Sequence, residues 1–200
     1  MQVGEVEINF TLYNNKVKAK EIKASLASMN NYEPDEAFLN HFEEQINKVH
    51  AFVDRKIGTI DRTITTRDAY VGSSAFVDLI HTLQLQIGRA QISFCAPLAY
   101  DAEIHEGDIH VSDMFNLYKY ENKLYTMQLT GQEVKDALEA SYADWTNRMT
   151  SPDDHLLRIE KQRGKNYRFV SYTFNFDSAA GINYTVDVTR PQGEKISITS

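Results

Sequence analysis

The sequence predicts an α+β fold in which a mixed sheet packs with several helices. Three observations carry that expectation. Alternating apolar–polar runs separated by turn residues lie at both ends of the chain, strong helical stripes lie between them, and the two kinds of segment interleave without a regular strand–helix–strand rhythm. At 200 residues and 42% hydrophobic composition the chain is long enough to bury a core without metals or disulfides.

The elements follow in order. VEINFTLYNNKVKAKEI reads as a hairpin, two short alternating runs around Asn14 and Asn15. Residues 24–34, ASLASMNNYEP, read as a polar connector. In DEAFLNHFEEQINKVHAFVDRKIG, Phe38, Phe42, Ile46, Val49 and Val53 recur at spacings of three and four. Acidic residues lead and basic ones trail, so a helix is expected over residues 35–56.

TIDRTITTRDAY suits a strand or an extended crossing. Ser73 or Ser74 is placed to cap a second helix with Phe76, Ile80, Leu83 and Ile87 along its stripe and Gly88 at its end. QISFCAPL reads as a buried strand broken by Pro97, and Ser112 as the cap of a short helix. Thr130 and Glu133 form a capping-box pattern opening a helix striped by Val134, Ala137, Leu138, Ser141, Tyr142 and Trp145. Residues 147–167 are charged and irregular; FVSYTFNF, INYTVDVT and ISITS read as strands.

Composition removes some function classes. A net charge of -7 argues against nonspecific nucleic-acid binding, which needs a basic surface. No apolar stretch approaches the ~18 residues of a membrane span, and MQVGEVEINF has no signal-peptide pattern. Cys95 is the single cysteine, set in an apolar run where a buried inert thiol is expected. The six histidines show no HExxH spacing. IHEGDIH is rich in metal-ligand types, but Gly107 marks it as a turn into a strand. His81, one position off its helical stripe, reads as a satisfied or partly exposed histidine rather than a ligand. The residues alone disclose no catalytic constellation and no metal site.

The exception is FNLYKYENKLYTMQLTG, residues 115–131. YENK has turn-like polarity, and alternation resumes in LYTMQLT. Phe115 and Leu117 read as core. Tyr118 and Tyr120 share a face if this arm is extended, with Lys119 pointing away. A tyrosine at a loop edge with an asparagine two residues on can stack a base for ~1–3 kcal/mol. The competing reading is a cross-strand aromatic pair closing a hairpin.

The run AEIHEGDIHVSDMFNLYKYENKLYTMQLTGQEVKDALE resembles the C-terminal domain of the 5'-nucleotidase family. A G-D-I turn, a short helix, an aromatic-x-Asn element and L-T-G-x-x-V-K-x-x-L-E follow in the family's order. The resemblance extends upstream through RKIGTIDRTITTRDAY and downstream through FNFDSAAGINYTVDVTRP, over residues 50–200. It is nearest the branch of 2',3'-cyclic-nucleotide 2'-phosphodiesterase/3'-nucleotidases.

The resemblance implies a substrate-binding domain for a nucleotide or nucleoside. Catalysis would belong to an upstream metallophosphoesterase domain with two divalent metals, and none of that domain's motifs occurs in this chain. On this reading residues 1–34 are residual strands of that domain, 35–56 the connecting helix and 57–200 the substrate-binding domain. Tyr120 would be a base-stacking ring and Asn122 a polar contact or turn former, with Tyr118, Phe174, Phe176 and Asp177 as further pocket candidates. The family implies a periplasmic or extracellular location.

Two departures qualify this. SFCAPLAYDAEI stands where many members carry Asn-x-Gly-Gly-Ile-Arg, so a phosphate-contacting arginine is missing. The family's later Asn-x-(Tyr/Phe)-x-x-x-Gly-Gly segment, with its second stacking ring, is also absent. The expectation is therefore a domain incomplete at its C-terminus, with an open sheet edge available for self-association. The alternative function is a binding or scaffolding domain that keeps the fold without nucleotide binding.

Overall fold

A computed structural model describes residues 1–162, 164 and 166–200. The chain divides into two compact units, Met1–Ala51 and Phe52–Ser200.

The first unit is built on strands β1 (Gln2–Tyr13) and β2 (Lys16–Ser28), paired antiparallel. Asn14 and Asn15 have φ of 49° and 59°, the left-handed geometry that a two-residue hairpin turn needs to match strand twist. The hairpin is longer than the sequence suggests. Val6↔Ala24, Ile8↔Ile22 and Gly4↔Leu26 pair on one face, while Glu7↔Lys23 and Asn9↔Glu21 pair on the other. Alternation thus carries β2 through residues 24–28, and only Met29–Asn31 forms a short 3-10 turn in the expected connector. Val6, Ile8, Phe10, Leu12, Ile22 and Leu26 all stay exposed.

Helix α1 (Glu36–Val53) lies where expected. Asp35 opens it by accepting a 2.7 Å hydrogen bond from the Phe38 N–H. Its stripe residues Phe38, Phe42 and Val49 are exposed.

The second unit is α+β, as predicted, with its strands joined two at a time and antiparallel in every assigned pair among the described residues. They are β3 (Lys56–Ile60), β4 (Ile64–Thr65), β5 (Ser93–Cys95), β6 (Glu103–Ile104), β7 (Gly107–His110), β8 (Ile159–Lys161), β9 (Tyr167–Phe169), β10 (Ser178–Ala180), β11 (Tyr184–Val186) and β12 (Ile196–Ile198). The pairs are β3–β7, β4–β6, β5–β10, β8–β9 and β11–β12. Helices α2 (Ala75–Gly88), α3 (Val111–Leu117) and α4 (Gly131–Trp145) pack with them.

Two apolar clusters form the core. Ile64, Phe76, Val77, Ile80, Cys95, Ile104 and Leu117 make one. Tyr70, Trp145 and Phe176 make the other, with Trp145 stacked between Tyr142 at 4.6 Å and Phe176 at 5.5 Å.

Several local expectations are corrected. In α2 the buried face is Phe76, Val77, Ile80 and His81, whereas Leu83 and Ile87 are exposed. The helix is fixed by its first two turns, so the later stripe residues find no partner. Gly88 is its last helical residue, and Arg89 takes the left-handed position at φ 49°. Ser74 is the α2 N-cap residue, but its hydroxyl donates to the Thr65 carbonyl at 2.8 Å, tying the helix start to β4. His110, not Ser112, precedes α3; its N–H donates to the Asp113 carboxylate at 2.7 Å. In α4 the capping box of Thr130 and Glu133 forms as expected. Ala137 is exposed and Glu139 is buried instead.

LYTMQLT is not a strand. Leu124, Tyr125, Met127 and Leu129 are exposed, and among the described residues this segment pairs with no strand. FVSYTFNF is a strand only to Phe169; Thr173–Asn175 turn into a 3-10 helix that lets Phe176 reach the core. The irregular stretch 147–167 contains β8, and Arg163 and Lys165 within it lie outside the described residues.

A buried charged tie joins β12 to α4. Glu139 accepts the Ile196 N–H at 2.6 Å, and the Lys195 ammonium donates to the Thr146 carbonyl, the Thr146 hydroxyl and the Asn147 carbonyl at 2.9–3.1 Å. Burial depresses the Lys195 pKa, and the nearby Glu139 opposes that shift.

His81 is satisfied, as expected, and links three elements. Nδ1 lies 3.0 Å from the Ser93 hydroxyl on β5, and Nε2 lies 3.2 Å from the Ser178 hydroxyl on β10. Ser93 donates to Gln84 at 2.5 Å, so Nδ1 donates to the Ser93 oxygen in the neutral ring, and the Ser178 hydroxyl hydrogen is shared between Nε2 and the Cys95 carbonyl, each at 3.2 Å.

Two predictions follow from this packing. Leu138 is 0% exposed, so Leu138→Ala should lower the unfolding free energy by about 2–5 kcal/mol, read by urea denaturation. Burial lowers the His81 pKa in the folded chain, while the unfolded imidazole binds its proton near pH ~6.5. Stability from this group is present above that pH and lost as pH falls through the folded-state value. The melting temperature should therefore fall more steeply below about pH 6.5 in the wild type than in His81→Gln.

Candidate functional site

A cavity of about 270 Å³ gathers five of the six residues singled out from the sequence: Tyr118, Tyr120, Asn122, Phe174 and Asp177. Gln84 of α2, Phe94 and Cys95 of β5, and Ala96 and Leu98 beyond it complete the wall. The volume lies near the lower end of small-molecule sites, ~300–1,000 Å³. Two larger cavities, of about 620 and 720 Å³, include none of the six. The smaller one therefore holds the chemistry of interest.

Local structure explains how these side chains converge. Leaving α3, the chain extends at Tyr118, whose ring packs against the first core cluster. The Asn122 amide donates to the Tyr118 hydroxyl at 2.9 Å, closing the Tyr-Lys-Tyr-Glu-Asn loop on itself. Tyr120 is thereby left 41% exposed. Phe174 meets it edge-on, with ring centroids 6.5 Å apart, and stacks on Tyr172 at 5.0 Å. Lys119 does not point away: its ammonium lies 5.3 Å from the centroid of the Tyr120 ring. The hairpin pairing of aromatic rings is not formed, since the segment after the loop is not a strand.

Phe176 stands apart from the other candidates. It is 0% exposed and stacks on Trp145 in the core. Phe115, expected in the core, is 55% exposed, while Leu117 is buried as expected. The difference is a matter of helical phase, because α3 has only seven residues and one inward face.

The electrostatics of the cavity are one-sided. Among the described residues Asp177 is the only charged one in its wall, with no lysine or arginine beside it. Burial raises the Asp177 pKa. The same burial, with the Asp177 charge adding to it, pushes the Cys95 thiol up to about 12. Gln84, overlooked in the sequence, is held by the Ser93 hydroxyl donating to its Oε1. His81 and Gln84 stand one helical turn apart and both meet Ser93, so their i,i+3 spacing was the available signal.

Among the described residues no group of three or more His, Cys, Asp or Glu side chains is arranged to hold a metal ion. IHEGDIH is a turn and strand, with Gly107 at φ 121°. No helix of the described residues is long and apolar enough to cross a membrane.

Comparison with known proteins places this architecture. The sequence profile of the 5'-nucleotidase, C-terminal domain, family matches residues 56–200. The trifunctional nucleotide phosphoesterase protein YfkN of Bacillus subtilis is 35% identical over 94 residues, 46% of this chain and 6% of that protein. A 2',3'-cyclic-nucleotide 2'-phosphodiesterase/3'-nucleotidase of Salmonella typhimurium is 28% identical over 93 residues, 44% of this chain and 13% of that protein. The chain thus spans only a small part of the length of these relatives. In fold, it is similar to a structure described as a 5'-nucleotidase from Staphylococcus aureus in complex with alpha-ketoglutarate. The TM-score is 0.65 at 21% identity, covering 98% of this chain and 36% of that one. A 5'-nucleotidase precursor from Thermus thermophilus gives 0.57 at 20% identity, covering 96% and 34%.

The raised Cys95 pKa yields a direct check on the cavity wall. At about pH 8 the folded chain should resist a thiol-specific reagent, and full labelling should need denaturant.

Proposed function

This chain belongs to the 5'-nucleotidase C-terminal domain family, and on that premise we propose that it is the nucleoside-binding part of a phosphoesterase acting in nucleotide catabolism. The carrying observation is the cavity that brings the exposed Tyr120 ring together with Asn122, Tyr118, Phe174 and Asp177. A flat ring beside an open cavity can stack a base, and the amide and carboxylate can meet its polar edges. Among the described residues the wall holds no cation, which suits a pocket for the nucleoside end of a nucleotide rather than its phosphate.

Hydrolysis is assigned to an upstream metallophosphoesterase domain. Its two divalent metals would activate water for attack at phosphorus. This chain's part is to hold and orient the nucleoside. Residues 1–34 are read as strands belonging to that domain, and 35–56 as the connecting helix. Supporting this, the β1–β2 hairpin is amphipathic, yet Val6, Ile8, Phe10 and Leu12 are exposed. A two-stranded hairpin alone is marginally stable in water, so its apolar face is suited to a larger sheet structure. The parent protein is assigned to the periplasm or the extracellular space, in keeping with the precursor description of the Thermus thermophilus relative.

Calorimetric titration of adenosine and 3'-AMP into the chain tests the reading. Saturable binding is expected, and Tyr120→Ala should weaken it by about 1–3 kcal/mol, roughly tenfold to more than a hundredfold. Absence of binding at millimolar nucleoside by the folded wild type would overturn the proposal and favour a scaffolding role.

A further inference from the structure

Of the polar groups lining the 270 Å³ cavity, Asp177 has a carboxylate with no hydrogen bond or ion pair among the described residues. Its backbone is committed, since its carbonyl accepts from the Ser141 hydroxyl at 2.8 Å. The other polar groups are partly used. Gln84 accepts from Ser93 through Oε1, which leaves its Nε2 amide to donate. Asn122 donates to Tyr118, which leaves its Oδ1 to accept and the Tyr118 hydroxyl hydrogen to donate. A ligand edge complementary to this wall presents donors to the carboxylate and an acceptor to the amide or phenol.

The orientation of a nucleoside follows from charge. With no lysine or arginine among the described residues of the wall, the phosphate end faces out and the base enters first. Asp177 is half-buried, whereas Tyr120 and Phe174 are 41% and 45% exposed. Tyr120 therefore stands nearer the solvent, where its face can stack the base with Phe174 edge-on beside it, and the carboxylate is more sheltered, to meet the base edge.

We propose that Asp177 is the base-discriminating residue of this site and selects guanine over adenine, a step that rests on the nucleoside-binding reading above. Guanine offers N1–H and the N2 amine side by side, two donors for the two carboxylate oxygens, with O6 as the adjoining acceptor for Gln84 or Tyr118. Adenine offers one donor there, the N6 amine, beside the N1 lone pair, so one carboxylate oxygen would face an acceptor, and a site built to receive two donors disfavours that base. Burial raises the Asp177 pKa, and donors from a bound base would favour its ionised form.

Four nucleosides test this in the 200-residue chain and in Asp177→Asn, which is nearly isosteric and removes a half-buried charge. The wild type should bind guanosine about tenfold or more tightly than adenosine, with inosine, which keeps N1–H but lacks the amine, between them. 2'-Deoxyguanosine should bind like guanosine, and Asp177→Asn should abolish the preference while still binding both bases. Equal binding of guanosine and adenosine, a preference that survives in Asp177→Asn, or dependence on the 2'-hydroxyl instead of the base would each overturn the proposal with nucleoside binding intact. Failure of the folded wild type to bind any of the four would instead overturn the nucleoside-binding reading, and this inference with it.

Discussion

The candidate site depends on the hydrogen bonds through which His81 on α2 meets Ser93 on β5 and Ser178 on β10. A helix packed on a strand pair by apolar contacts alone could slide along it, because dispersion and burial are not directional. The imidazole removes that freedom by meeting one hydroxyl on each strand. Ser93 then donates a hydrogen bond to Gln84, one turn further along the helix, and so aims that amide at the cavity. Ser178 in turn lies 3.2 Å from the Cys95 carbonyl, beside Asp177. Three walls of the site are thus held in register by one side chain, which stays neutral because burial disfavours its charged form.

Glycine at position 181 serves the same strand pair. With φ 89°, it brings its backbone so close to Gln91 that a Cβ would stand 2.0 Å from the Gln91 carbonyl oxygen. No side chain fits there, and the left-handed conformation suits glycine. The approach anchors the chain beyond β10 to the segment leading into β5. On the far side, Glu139 and Lys195 tie β12 to α4 through buried charge-assisted hydrogen bonds. A close backbone approach on one side of the second unit and buried polar bonds on the other thus hold it, and low dielectric strengthens those bonds.

The sequence was legible where neighbouring residues decide the outcome. Asn14-Asn15 made the hairpin turn, acidic and basic ends framed α1, and Thr130 with Glu133 opened α4. It was misleading where a short amphipathic run could turn either face inward. LYTMQLT alternates like a strand, but no partner edge meets it. Leu83 and Ile87 continue the stripe of α2, but the core ends a turn earlier. The ordered motif singled out Tyr120 and Asn122, which the fold brings into one cavity wall, whereas Gln84 carried only its spacing from His81, and its placement depends on a serine nine residues away.

By itself the sequence determined the α+β class, the order of most elements and the family, since turn chemistry, capping and an ordered motif act over a few residues. Tertiary structure decided which faces are buried, that Phe176 serves the core while Phe174 lines the cavity, and that Asp177 stands beside Cys95 with no partner among the described residues. Those outcomes depend on contacts between residues distant in sequence, such as His81 with Ser178, 97 positions apart. Burial and pairing are properties of such contacts, and no local pattern encodes them.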